Sequence, residues 1–136
     1  MSNVVIKMQS PQSYAQMITV DKFNLVSDAP KNISANSVGP DPHELIYAAL
    51  GACTSMTMQM YAQRKGMDIQ GIEVDVQPVT DASKHNELTL IKRLVKVNGQ
   101  VNPEAMEMLA RVADKCPIHK LLVKAVPIET SFENLN

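Results

Sequence analysis

Two cysteines, Cys53 and Cys116, are the residues of this chain whose type and setting point most directly to chemistry. They lie in two distinctive segments, GPDPHELIYAALGACTSMT and ADKCPIHK. A thiol that meets an oxidant becomes a sulfenic acid, and a second thiol can condense with that acid to form a disulfide before oxidation goes further. The pair is therefore the main indication of chemistry in this chain. Because free cysteine is also among the most buried residue types, a role in core packing stays open for both.

Cys116 also forms a Cys-x-x-His pair with His119, a spacing that occurs in zinc sites. The remaining soft ligands are Cys53, His43 and His85, and they supply no second closely spaced pair. We therefore predict no metal site and no bound cofactor.

A long helix is predicted to hold Cys53. Asp41 followed by Pro42 is a typical helix start, and Glu44 completes a capping box with Asp41. From there to Lys65 the residues are good helix formers without proline, and the glycine that follows is a typical stop.

The first half of this helix is apolar on nearly all sides, so we expect it to be buried. A membrane span is disfavoured, because Gly51 and several hydroxyl and amide side chains dilute the hydrophobicity. At 1.5 Å per residue the helix would be roughly 37 Å long, which is comparable with the diameter expected for the whole chain. One subunit can hardly cover it, and we therefore predict a homodimer.

The remaining elements predict an α+β protein rather than a doubly wound sheet. A second helix opens at Asn102 and Pro103, carries Cys116 at its negative end, and is ended by Pro117. That position predicts a poor thiolate at Cys116. Strands are predicted at 4–6, 17–20, 23–26, 72–76, 87–97 and 121–128, with hairpin turns at 21–22 and 80–86.

The composition and net charge of the chain limit the classes of partner that we expect it to bind. The chain is 45% hydrophobic, enough for one domain over 1–136. Its net charge is -1 and its basic residues are scattered, so we expect no nucleic acid and no membrane as partner, and a small molecule instead. Two cysteines are too few for a secreted disulfide scaffold, and no signal segment is visible, so we expect a cytoplasmic protein.

The run GPDPHELIYAALGACTSMTMQMYAQRKG at 39–66, followed by a hairpin and by ADKCPIHK at 113–120, resembles the OsmC/Ohr family. The resemblance implies an OsmC-like fold with antiparallel sheets around a long buried central helix, in an intertwined homodimer. It also implies a cysteine-based peroxidase that reduces organic hydroperoxides and is re-reduced by an external dithiol such as a lipoyl group. Cys53 then matches the peroxidatic cysteine and Cys116 the resolving one.

The resemblance places His43 and Glu44 where peroxidases of this family keep a glutamate that pairs with an N-terminal arginine. No arginine precedes Arg64, so this ion pair has no counterpart here. The alternative for Glu44 is that it caps the helix. The alternative for His43 is that it is an exposed residue of the first turn. An apolar site raises the pKa of a thiol, so weak activation of Cys53 is expected. The candidate N-terminal cations are Lys7, Lys22 and Lys31.

The helical neighbours of Cys53 form a candidate substrate-binding lining of Leu50, Met56 and Met60. Such a lining would suit an alkyl hydroperoxide, and it would equally suit core packing. Two functions therefore remain. One is a thiol-dependent peroxidase, and the other is an OsmC-like protein that binds a small apolar ligand with weak or no peroxidase activity.

Overall fold

The structure, a computed structural model, describes residues 2–124, 127–129 and 131–132. The chain forms two compact units, Met1–Ala48 and Ala49–Asn136. Its antiparallel sheets and helices confirm the α+β class. The elements are β1 (Val4–Met8), β2 (Gln16–Val20), β3 (Phe23–Ser27), α1 (Pro42–Lys65), β4 (Asp68–Asp81), a 3-10 turn (Ala82–Lys84), β5 (Glu87–Gln100), α2 (Pro103–Ala113) and α3 (Pro117–Leu122).

The N-terminal unit contains a three-stranded antiparallel sheet in the order β1-β2-β3. The tight turn between β2 and β3 has Asp21 in the left-handed region, with φ of 56°, and Val20 pairs with Phe23 across it. Aspartate tolerates this conformation better than most residues. The predicted hairpin turn at 21–22 is confirmed.

The start and stop of α1 follow the predicted local rules. Glu44 Oε1 accepts the Asp41 backbone N–H at 2.9 Å, and Asp41 Oδ1 accepts the Glu44 N–H at 2.9 Å, which is a reciprocal capping box. Gly66 follows the helix at φ of 65°, where a side chain would be strained. No helix among the described residues is long and apolar enough to cross a membrane.

The expectation that α1 is buried on nearly all sides holds for one face only within this chain. Met56 and Met60, on other faces, are 55% and 60% exposed. The difference arises because the hairpin of β4 and β5 and the helix α2 pack against that one face. The buried face repeats every four residues as Leu50, Thr54, Met58 and Ala62.

The C-terminal unit is built on the long antiparallel hairpin β4-β5. On β4, half-buried apolar residues alternate with exposed polar ones, as predicted for 72–76. The helix approaches the strand closely at Gly51, where an added Cβ would lie 3.3 Å from Val76. The core consists of Met58 of α1 with Leu109 and Ala113 of α2, and half-buried residues of the hairpin pack against it.

The C-terminal elements correct two predictions. The second helix does not reach Cys116, because α2 ends at Ala113 and Pro117 begins the separate helix α3. Proline suits a first helical position, where its missing N–H needs no partner. The predicted strand at 121–128 is also wrong where the structure describes it: 121–122 belong to α3 and 127–128 are not in a strand, while 125–126 lie outside the described residues.

Candidate functional site

Cys53 lies in the middle of α1 and is half-buried. Its Sγ lies 4.0 Å from Thr57 Oγ1, one turn further along the helix, which is a weak contact. The residue that follows, Thr54, is fully buried. The helix therefore directs Cys53 and Thr54 toward the packed side of the C-terminal unit.

Cys116 occupies the turn between α2 and α3 and is fully buried. Its Sγ accepts the backbone N–H of His119 at 3.4 Å and so caps α3. This corrects the prediction that Cys116 sits at the negative end of a helix. The sulfur instead receives a hydrogen bond, which favours its charged form.

The two free thiols interact, and their surroundings differ. Burial raises the pKa of Cys53, and a hydrogen bond with Cys116 raises it further. Burial also tends to raise the pKa of Cys116, but hydrogen bonds from the Cys53 thiol, from the backbone at 118–119 and from Thr54 outweigh it and lower that pKa. The pKa values of the two thiols are therefore shifted in opposite directions.

No cation is among the groups that shift the pKa of Cys53 within the part of the chain the structure describes. Those groups are Cys116, Ile118 and Thr57. The raised pKa agrees in direction with the weak activation that the sequence predicts. A role for the N-terminal lysines stays a prediction.

Arg93 is the site residue that the sequence analysis missed. Its guanidinium donates from Nη1 to Thr54 Oγ1 at 2.9 Å and to the Ala113 carbonyl at 3.3 Å. Nη2 forms a 2.7 Å ion pair with Asp114. A signal was present in the sequence, because Arg93 stands at an inward position of β5, in line with Ile91, Val95 and Val97. A charged residue in an apolar row of a strand requires buried partners.

A cavity of about 350 Å³ is lined by residues of α1, β5 and the α3 region, and neither cysteine is among its lining residues. Leu50, predicted as substrate-binding, lines it together with His119. The other two predicted residues, Met56 and Met60, are exposed on α1 and are not among the lining residues. The remaining lining is mostly apolar and comes from β5 and α3: Leu88, Leu90, Leu122 and Val123.

His43 and Glu44 belong to the N-terminal unit, whereas both cysteines belong to the C-terminal unit. Both residues lie in the first turn of α1. Glu44 is engaged in the capping box, and His43 is exposed beside Tyr47, with ring centroids 6.4 Å apart. Their predicted catalytic role stays a prediction without support from a contact.

Among the described residues, no group of three or more histidine, cysteine, aspartate or glutamate side chains has a metal-binding arrangement. The Cys116–His119 pair instead uses the His119 backbone N–H, while His119 Nε2 lies 4.0 Å from Asp114 Oδ1.

Fold and site together define an α+β protein in which a long helix and a helix-capping turn bring two free thiols into contact. The family model described as OsmC-like protein matches residues 34–131, and the chain belongs to this family. No curated protein sequence matches the chain significantly.

Solved structures share the fold at low sequence identity. An OsmC-like protein from Mycoplasma pneumoniae is 19% identical with a TM-score of 0.74, covering 90% of this chain and 87% of that one. An OsmC-like protein of unknown function from Vibrio cholerae is 15% identical with a TM-score of 0.69, covering 88% and 92%. The organic hydroperoxide resistance protein OhrB of Bacillus subtilis is 23% identical with a TM-score of 0.60, covering 88% of each chain.

Proposed function

We propose that this protein is a thiol-dependent peroxidase that reduces organic hydroperoxides. The observation that carries the proposal is the contact between two free thiols with unequal surroundings. Cys53 is the more exposed of the two and is the one that can meet a substrate, whereas Cys116 is buried behind it. The name of the Bacillus subtilis relative supports the same substrate class.

In the proposed reaction the Cys53 thiolate attacks the terminal oxygen of the hydroperoxide. The O–O bond breaks, the alkoxide takes up a proton and leaves as an alcohol, and Cys53 becomes a sulfenic acid. Cys116 Sγ then attacks the oxidised sulfur, the S–O bond breaks, and water leaves. An external dithiol, such as a lipoyl group, reduces the resulting disulfide back to two thiols.

The cavity lined by Leu50 and His119 is consistent with an apolar substrate in this proposal. Its walls are mostly leucine, isoleucine and valine, and its volume of about 350 Å³ is at the small end of ligand pockets. We infer that the alkyl group of the hydroperoxide lies against Leu50. The two free thiols further favour a reducing compartment, and we place the protein in the cytoplasm.

A direct test uses peptide mass spectrometry after one equivalent of cumene hydroperoxide. We expect an intramolecular disulfide between Cys53 and Cys116. The variant Cys53→Ser is expected to lose hydroperoxide consumption, while Cys116→Ser accumulates a sulfenic acid that over-oxidises with excess oxidant. Two free thiols remaining in the wild-type protein after treatment would argue against the peroxidase.

A second function, binding of a small apolar ligand, is favoured by the combination of the apolar cavity and the raised pKa of Cys53. A fatty-acid analogue without a peroxide group distinguishes the two. Saturable binding by the Cys53→Ser variant, together with no disulfide in the wild type, would support the binding function.

A further inference from the structure

Arg93 is a largely buried cation whose partners all surround the second cysteine. Its side chain is 15% exposed, although its inward-facing neighbours on β5, Ile91 and Val95, are apolar. A guanidinium in such a setting is unfavourable unless its N–H groups find partners. The hydrogen bonds of Arg93 are therefore obligatory and hold its planar group in one orientation.

The partners of Arg93 come from three parts of the unit. Nη1 reaches Thr54 Oγ1 on α1 and the carbonyl of Ala113 at the end of α2, at 2.9 and 3.3 Å. Nη2 reaches Asp114 in the turn before Cys116 at 2.7 Å. A single rigid side chain thus links the helix of the first cysteine to the turn of the second.

Thr54 is the member of this set that also affects the second cysteine, because it is among the groups that lower the pKa of Cys116. It is fully buried, and its hydroxyl has one proton to donate. That proton is given to the Leu50 carbonyl at 2.7 Å. Arg93 donates to Thr54 Oγ1 and so holds the hydroxyl oxygen in place. The hydroxyl proton can still rotate between the Leu50 carbonyl and the side of Cys116.

We propose that Arg93 is a positioning residue for Cys116 and that it acts through Thr54, whose hydroxyl it holds within reach of Cys116 Sγ. When this sulfur is ionised, the hydroxyl proton turns from the Leu50 carbonyl to the sulfur. The inference deepens the proposed function and rests on it for the role of Cys116 as the thiol that resolves the sulfenic acid. A thiolate attacks far faster than a thiol, so the hydroxyl assists the resolving step.

Other groups around Cys116 also affect its ionisation, and the test must separate them from Arg93. Cys53 lies on α1 and His119 on α3, and the turn itself carries an acid and an exposed base. Among the described residues, the titratable and charged groups named by these contacts or carried by the turn are Cys53, Arg93, Asp114, Lys115 and His119.

The test titrates Cys116 in the Cys53→Ser background, where it is the sole thiol and serine keeps a hydroxyl donor beside it. The readout is the ultraviolet absorbance of the thiolate, which does not require the buried sulfur to be accessible. With Thr54→Val we expect the thiolate fraction below the midpoint to fall about tenfold, because one hydrogen bond to a charged group is lost. Thr54→Ser is expected to leave the titration unchanged.

Arg93→Met is expected to shift the titration in the same direction as Thr54→Val. Combined with Thr54→Val it should add little, because both substitutions break one pathway. Lys92→Met is the matched control, since it removes a positive charge from the next residue on the exposed face of β5, and we expect no change. Additive effects, or an unchanged titration with Arg93→Met, would overturn the proposal.

If the Arg93→Met variant does not fold, the Arg93→Lys variant provides a second test. It keeps the charge, but one ammonium group cannot serve Thr54, Ala113 and Asp114 together. The thiolate fraction should therefore fall here as well, and an unchanged titration would refute the role of the guanidinium. Since no hydroperoxide is added, the outcome is independent of the disulfide test, and either proposal can fail alone.

Discussion

Cys53 and Cys116 carry the same functional group, yet their surroundings move their pKa values in opposite directions. Burial and the neighbouring sulfur of Cys116 disfavour ionisation of Cys53. A weak contact with Thr57 at 4.0 Å favours it slightly. Cys116 has donors from two elements around it. The thiol that we propose to meet the substrate is thus the half-buried one, whereas the buried thiol has the lowered pKa.

This difference predicts the pH dependence of hydroperoxide reduction. Only the thiolate attacks the peroxide, and a raised pKa leaves less thiolate at a given pH. The rate should therefore rise with pH, by about tenfold per pH unit below the midpoint of Cys53. Stopped-flow measurements of the first oxidation step across the neutral and alkaline range check this. A rate that is flat through neutral pH would show that another group activates Cys53.

Replacing Cys116 should make Cys53 more acidic. In Cys116→Ser the neighbouring group can no longer carry a negative charge, and its hydroxyl can donate to the Cys53 sulfur. We expect the pH profile of Cys53 alkylation by iodoacetamide to move to lower pH than in the wild type. Thr57→Val provides the comparison: it removes a weak contact that lowers the pKa, so its profile should move slightly to higher pH. Identical profiles in all three proteins would contradict this account.

The reactive residues were predictable from the sequence to different degrees. The cysteines stand out because the segments around them are distinctive. Arg93 does not, because the same strand also carries Lys92 and Lys96, and nothing in the sequence separates it from those exposed charges. Its role depends on the inward direction of its side chain and on Thr54, which lies far away in sequence. Long-range pairing of this kind leaves no local pattern.

The helix α2 supplies Leu109 and Ala113 to the core of the C-terminal unit. Leu109 is 1% exposed and contacts Met58 and Ala113 in the core. Leu109→Ala is expected to lower the free energy of unfolding by about 2–5 kcal/mol, from lost burial and the cavity left behind. Urea unfolding followed by circular dichroism measures it. Met106→Ala, at a 41% exposed position of the same helix, should cost clearly less, and equal losses would contradict the assigned core.

Regular elements were predictable wherever local rules decided them. The capping box of α1, the glycine that ends it and the alternation on β4 all follow from neighbouring residues. The C-terminal error has a physical reason: the mostly apolar run from Leu121 onward suggested a strand, while Pro117 and the capping sulfur of Cys116 start a helix. A cysteine is an uncommon cap, so the sequence rules for helix starts do not detect it.

In a single chain, several apolar side chains of α1 are exposed to solvent. Met56 and Met60 are more than half exposed, and large apolar patches on a monomer mark interaction sites. We propose a homodimer whose interface includes the stretch 51–60, as predicted from the helix length. Sedimentation equilibrium at micromolar concentration should give a dimer for the wild type and a monomer for Met56→Glu combined with Met60→Glu. A stable wild-type monomer would exclude the homodimer.

The control for this experiment is Met106→Glu, which places the same charge at an exposed methionine of α2. It should remain dimeric. If it dissociates as well, the interface is not specific to the exposed methionines of α1.

The pairing of β4 with β5 ties the cysteine chemistry to strand register. Arg93 faces the helices because it pairs with Val76, and its neighbour Lys92 pairs with Gln77 on the opposite face. A slip of one residue would turn Arg93 to solvent and bring a lysine inward. The turn that sets this register contains His85 and Asn86, both with positive φ. Under the proposal, ionisation of Cys116 would therefore report on hairpin alignment: a misaligned hairpin keeps both thiols and Thr54 but loses the Arg93 guanidinium that holds the Thr54 hydroxyl in place.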